Sequence, residues 1–215
     1  ADKAVETECH HGQAQPQILD SYDQERRPHA VSMINLARFM GHLVMTRHAV
    51  SAFMVHGLMR LSRLLPPLRR HLEELRIKPA NRFRQGLFCA GQGLKHLLPG
   101  SQLGQGWVRS GGEVRLSDDV LGERLLLVGF NTNPQAGLSA ALRSRWQAAG
   151  GGFLQVGVQN QSPETTELLE DLAQSLSAPA SAALAVVRPD RFILCSGPAG
   201  CAAELLQQTL GLLGK

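Results

Sequence analysis

Aromatic side chains are scarce in this 215-residue chain, at 5%, with one Tyr and two Trp. The segment richest in positive charge interleaves only Phe39, Phe53, Phe83 and Phe88 and holds no Tyr, which is thin provision for stacking nucleic acid bases. Cysteine is also sparse. Cys9, Cys89, Cys195 and Cys201 are widely spaced, with no CxxC and no Cys/His cluster at zinc spacing, so neither a disulfide scaffold nor a structural zinc is expected. Cys195 and Cys201, separated by SGPAG, could be drawn into a redox pair, but small buried thiols are the expectation in a reducing cytosol. Long apolar runs are absent too: Gly, Pro or polar residues interrupt every charge-free stretch before it could cross a bilayer, and mean hydropathy is -0.10. The opening residues ADKAVETECHHG lack the basic start and apolar run of a signal peptide. The expectation is a cytoplasmic chain without a membrane span, trimmed or part of something longer.

What is present is ordinary globular material, 43% hydrophobic and 19% charged, so the chain can bury a core. Its length suits two modules better than one. Charge is uneven. Residues 26–109 carry fourteen bases against two acids, whereas residues 1–25 and 110–215 are net acidic. Such a segment could face phosphate through counterion release, but with so few rings beside it, docking onto acidic protein is the better reading and no nucleic-acid partner is expected.

The first part reads as helical. Ile18, Leu19 and Tyr22 share one face of a helix that Pro28 should end or kink, and a second helix opens near His29. There Val31, Ile34, Leu36, Phe39, Met40, Leu43 and Val44 recur at helical spacing. Ala49 to Leu65 continues the pattern up to Pro66, and Leu68 to Ile77 forms a short helix. Residues 1–77 are thus a helical segment, and 78–112, crowded with Gly and Pro, are a connecting segment packed across a partner surface. From residue 113 the period changes. Arg124–Phe130 and Phe153–Val158 read as strands, Gly137–Ala149 and Glu164–Ser175 as helices. Ala183–Val187 and Phe192–Cys195 form a hairpin around Arg188-Pro189-Asp190-Arg191, and Ala199–Leu213 is a last helix. This order predicts an α/β (α+β) chain whose residues 113–215 form a thioredoxin-like domain.

Candidate chemistry is thin. A redox-active domain of that fold carries CxxC at the start of its first helix, where the helix terminus lowers the thiol pKa. Here the loop reads NTNPQAG, so the domain lacks CxxC and reads as a scaffold or interface. His42, His48 and His56 lie on the helices without a carboxylate in 31–72, and Ser196 lacks the GxSxG setting of a nucleophile. Asp118-Asp119 has no further metal ligand close by and reads as a turn before the strand. GQGLKH and GSQLGQG neither follow a strand nor end in GK[ST], so they make poor phosphate loops. No catalytic, cofactor-binding or metal-binding residue is assigned.

The stretch Ile18-Leu19-Asp20-Ser21-Tyr22-Asp23-Gln24-Glu25-Arg26-Arg27-Pro28-His29-Ala30 resembles the LLDSYxxERRPxA segment of FAD-dependent aromatic-ring hydroxylases, in particular those acting on 3-(3-hydroxyphenyl)propionate. Arg115-Leu116-Ser117-Asp118-Asp119-Val120-Leu121-Gly122 is similar to that family's RLDDVLG, with Ser117 as an extra residue, and Val187-Arg188-Pro189-Asp190-Arg191-Phe192 to its VRPDxY turn. The family's GxGxxG, DG and GD motifs do not occur here. The resemblance implies the C-terminal portion of a flavoprotein monooxygenase that uses FAD, NAD(P)H and O2 on a phenolic acid. It implies an N-terminal FAD domain as partner, a homodimer, and no cofactor on this chain alone. A polyketide-tailoring flavin hydroxylase and a stand-alone thioredoxin-like binding module are the alternatives.

Overall fold

The computed structural model describes residues 17–45, 48–62, 82–83, 85–89, 93–157, 167–176 and 181–214. The chain divides into two units, Asp23–Asn81 and the remainder. The helix expected at Leu68–Ile77 lies outside the described residues.

The smaller unit is helical. Helix α1 spans Gln17–Val44 and α2 spans Ala49–Ser62. Pro28 does not end α1, contrary to the sequence expectation: the helix runs through it. A proline removes the hydrogen bond to the carbonyl four residues back. That carbonyl belongs to Gln24, and since Gln24 and Pro28 are both exposed, water can take the missing donor's place. The apolar positions of these helices are also exposed, with Ile34, Phe39, Val44, Val50 and Phe53 open to solvent in the chain as described.

The larger unit is built on a mixed seven-stranded sheet. Its strands are β1 (Trp107–Ser110), β2 (Glu113–Leu116), β3 (Leu125–Phe130), β4 (Gly151–Val156), β5 (Glu167–Asp171), β6 (Ala183–Val187) and β7 (Ile193–Pro198), in the order β2-β1-β5-β4-β3-β6-β7. β3 runs parallel to β4 and antiparallel to β6, and β4 runs parallel to β5. Among the described residues three helices accompany it: a single turn α3 (Ser117–Leu121), α4 (Ala140–Ala148) and α5 (Ala202–Leu212).

Alternation along the central strands sorts side chains onto two faces. Leu127, Leu184, Val186 and Leu194 pack with Trp146 of α4 and Leu205, Leu206 and Leu210 of α5. Leu126, Val128, Phe130, Leu154, Ala185 and Val187 face the other way and meet Leu97, Leu103, Leu121 and Leu176. Much of that second layer comes from the stretch read as a connecting segment. Residues 97–110 are therefore built into this unit: Gly100 N–H donates to Ile193 O at 2.9 Å, Leu103 N–H to Arg191 O at 2.8 Å, and β1 pairs with β5.

One element changes type. The helix expected at Glu164–Ser175 is instead strand β5 followed by a turn, while residues 158–166 lie outside the described residues. β4 and β1 each leave an edge open, and β5 fills the space between them, parallel to one and antiparallel to the other. Backbone pairing on both sides outweighs the helical preference of the Glu and Leu residues in ELLED. The turn is then fixed by the Asp171 carboxylate, which accepts from the N–H groups of Ala173, Ser175 and Leu176.

Candidate functional site

The loop between β3 and α4 is where a redox-active domain of the expected fold would carry its thiols. Asn131 sits at φ 51, and its N–H donates to Val156 O at 2.8 Å. The Asn133 side chain accepts from Gln135 N–H at 2.8 Å, and Ser139 Oγ caps α4 by accepting from Leu142 N–H at 3.2 Å. A flavin diphosphate needs a glycine-rich turn that frees helix N-terminal N–H groups. This turn carries Pro134 and spends a helix donor on Ser139, so these residues do not fit FAD.

The cysteines depart from the sequence reading. Cys89 and Cys195 form a disulfide, with Cα atoms 5.3 Å apart and a sequence separation of 106, and Cys201 is free. Local spacing misled here, because the nearest cysteine to Cys195 in sequence is not its partner. Cys89 N–H donates to Leu194 O at 2.9 Å, and that contact with the edge of β7 brings Cys89 beside Cys195. Cys201 closes the 3₁₀ turn Ala199–Cys201 that leads into α5.

The best-built polar cluster joins two of the sequence motifs. Arg188 and Asp190, in the turn between β6 and β7, form an ion pair at 2.9 Å with side chains only 12% and 5% exposed. Arg191 reaches out of the same turn to α3. Its Nε donates to Asp118 Oδ1 at 3.3 Å, Nη1 to Gly122 O at 2.6 Å and Nη2 to Asp118 O at 2.8 Å. The fork of guanidinium donors suits this clasp, and Arg191 holds φ 71 to make it, a conformation that costs a non-glycine residue roughly 1 kcal/mol or more. Asp118 therefore lies in a one-turn helix as the anchor of Arg191, and it also accepts from Gln105 Nε2 at 2.8 Å.

Other candidates stay apart. His42, His48 and His56 are exposed on α1, the link after it and α2, and among the described residues no three His, Cys, Asp or Glu side chains gather as a metal would require. No helix among the described residues is long and apolar enough to cross a membrane. Of the ERRP motif, Glu25 is buried at 2%, whereas Arg27 is exposed and pairs at 3.5 Å with the equally exposed Asp23. Pairs of this kind contribute about 0–1 kcal/mol, so Arg27→Ala should leave a urea unfolding midpoint nearly where it was. On β2, Arg115 is hydrogen-bonded to Glu113; that bond, then the carboxylate charge, raises the pKa of a guanidinium that is already charged.

Residues 100–211 match the model of the HcaD C-terminal domain. The chain belongs to that family. A 3-(3-hydroxy-phenyl)propionate/3-hydroxycinnamic acid hydroxylase of Klebsiella pneumoniae (strain 342) is 35% identical over 210 residues, which cover 93% of this chain and 36% of that relative. The chain thus spans about a third of the length of the curated relatives it matches. Among solved structures, aklavinone-11 hydroxylase in complex with FAD and aklavinone aligns over 97% of this chain and 37% of its own, with TM-score 0.62 and 18% identity. The flavin-dependent monooxygenase PieE, in complex with FAD and substrate, aligns over 96% and 42%, with TM-score 0.56 and 18% identity. At that identity the likeness is one of fold. The HcaD C-terminal domain in this chain therefore contains the whole Arg191 clasp, since Asp118, Gly122 and Arg191 all fall between residues 100 and 211.

Proposed function

We propose that the chain is the C-terminal part of a flavin-dependent monooxygenase that hydroxylates a phenolic acid such as 3-(3-hydroxyphenyl)propionate, using FAD, NAD(P)H and O2. In this reading residues 113–215 form a thioredoxin-like scaffold that supports self-association, residues 1–77 continue a flavin and substrate domain, and 78–112 lead from one to the other, with 97–110 packed into the C-terminal unit. The strand arrangement β4-β3-β6-β7, with helices α4 and α5 on one face, supports the thioredoxin-like assignment. The setting is cytoplasmic.

The observation that carries the scaffold role is the clasp. Arg191 spends its guanidinium donors on Asp118, Gly122 and Pro189, so the two motifs shared with aromatic-ring hydroxylases are used to hold elements together. No residue of this chain is assigned a catalytic role. The exposed apolar positions of α1 and α2 supply a surface for the flavin domain to cover. When bound there, the flavin supplies the redox chemistry, and the protein's share is to hold the ring and exclude water.

The test compares two preparations. The 215-residue chain should purify colourless, whereas the same chain extended by its upstream coding sequence should bind FAD and consume NAD(P)H and O2 when given the phenolic acid. An extended protein that holds flavin but ignores every phenolic acid while turning over a polyketide ring would favour the tailoring hydroxylase instead. Stoichiometric flavin on the shorter chain would defeat the proposal.

A further inference from the structure

The hairpin of β1 and β2 leaves one strand edge open. It closes through a two-residue turn, Gly111 at φ 56 and Gly112 at φ 87, which flanks the pair Ser110–Glu113. Positive φ at both central positions is the turn that two-residue hairpins favour. In such a ladder the flanking pair exchanges both hydrogen bonds and the pattern then alternates. Glu113 and Arg115 accordingly spend their backbone groups on β1, while Val114 directs its N–H and C=O outward. β2 ends the sheet order, no described strand lies beyond it, and Val114 is 51% exposed.

We propose that this edge of β2 pairs antiparallel with the same edge of a second copy, across a two-fold axis through Val114. The inference rests on the self-association included in the functional reading above and names its surface. Charge complementarity selects the occupant. Side chains alternate along a strand, so Glu113 and Arg115 share one face and Val114 takes the other. With Val114 opposite its own copy, the two exchange a pair of backbone hydrogen bonds. Glu113 then stands opposite the second copy's Arg115, and Arg115 opposite the second copy's Glu113. Short charged edges usually discourage pairing. Here the signs are arranged so that the two-fold alignment sets opposite charges together, whereas a parallel alignment would set like against like. The edge is only four residues long, so the association is weak and reversible.

Sedimentation velocity of the 215-residue chain across a concentration series reads this out, with a thermal melt for each variant to confirm folding. Glu113→Arg and Arg115→Glu should each weaken self-association roughly tenfold, since cross-strand ion pairs turn into like-charge contacts at two symmetric positions. An equimolar mixture of the two variants should associate again, because every facing pair is then of opposite sign; loss of the intrachain Glu113–Arg115 contact cannot produce that rescue. Val114→Pro removes the outward N–H without touching the β1 ladder and should abolish association while the melt is retained. A dimer that ignores all three substitutions overturns the edge and leaves self-association standing. A chain that stays monomeric at every concentration overturns both, and neither result bears on flavin turnover by the extended protein.

Discussion

Trp146→Ala should lower the unfolding free energy of the larger unit by about 3–5 kcal/mol, the range for emptying a large aromatic site in a closed core. Trp146 is fully buried in α4, packs against the face of the sheet that carries Leu127 and Leu184, and donates its indole N–H to Gly152 O at 3.0 Å. Alanine forfeits the ring contacts, leaves a cavity beneath α4 and deprives that carbonyl of its donor. The neighbouring glycines belong to the same fit. A Cβ added at Gly151 would land on the indole, whereas Gly150 turns the chain at φ 84. Gly151→Ala should therefore destabilise too, by roughly 1–3 kcal/mol, through overpacking. Urea unfolding followed by circular dichroism measures both, and a loss below about 1 kcal/mol for Trp146→Ala would mean that α4 does not close the core.

Asp190→Ala should cost a comparable amount, about 3–5 kcal/mol, for an electrostatic reason. The carboxylate accepts from Arg188 Nε at 3.1 Å and Nη2 at 2.9 Å, a bidentate geometry, and both side chains are nearly excluded from water. Truncation keeps the guanidinium charge buried while taking away this counter-charge. The turn also positions Arg191, so the clasp to α3 should loosen with it. A double-mutant cycle with Arg188→Ala separates the two effects: coupling above about 1 kcal/mol marks the ion pair itself, and additivity would show that the cost lies in the turn. The contrast with Arg27→Ala is one of burial. The same chemistry costs little where water can solvate the ion left behind.

NTNPQAG is free of cysteine, as any reading of the sequence reports, and the loop it forms uses its polar groups on its own backbone and on the cap of α4. The disulfide partner of Cys195 could not be read from spacing, because Cys89 arrives through a hydrogen bond to β7 from a Gly- and Pro-rich stretch with no periodic signal. Asp118 was legible as a charge and illegible as a partner, since Arg191 lies 73 residues away.

By itself the sequence determined what depends on near neighbours. Alternating or continuous apolar runs marked β3, β4, β6 and β7, because side chains on a strand must find a layer on each face. The glycines from Gly150 marked the end of α4, and the order of three short motifs pointed to the family. Tertiary structure alone decided the rest. Glu167–Asp171 became a strand because β4 and β1 offered unpaired backbone on either side, Pro28 stayed within α1 because its orphaned carbonyl is open to solvent, and residues 97–110 became a core layer because the second face of the sheet had to be covered. In each case the deciding partner is distant in the chain or is water, and hydrogen bonds to such partners leave no periodicity in the residues that make them.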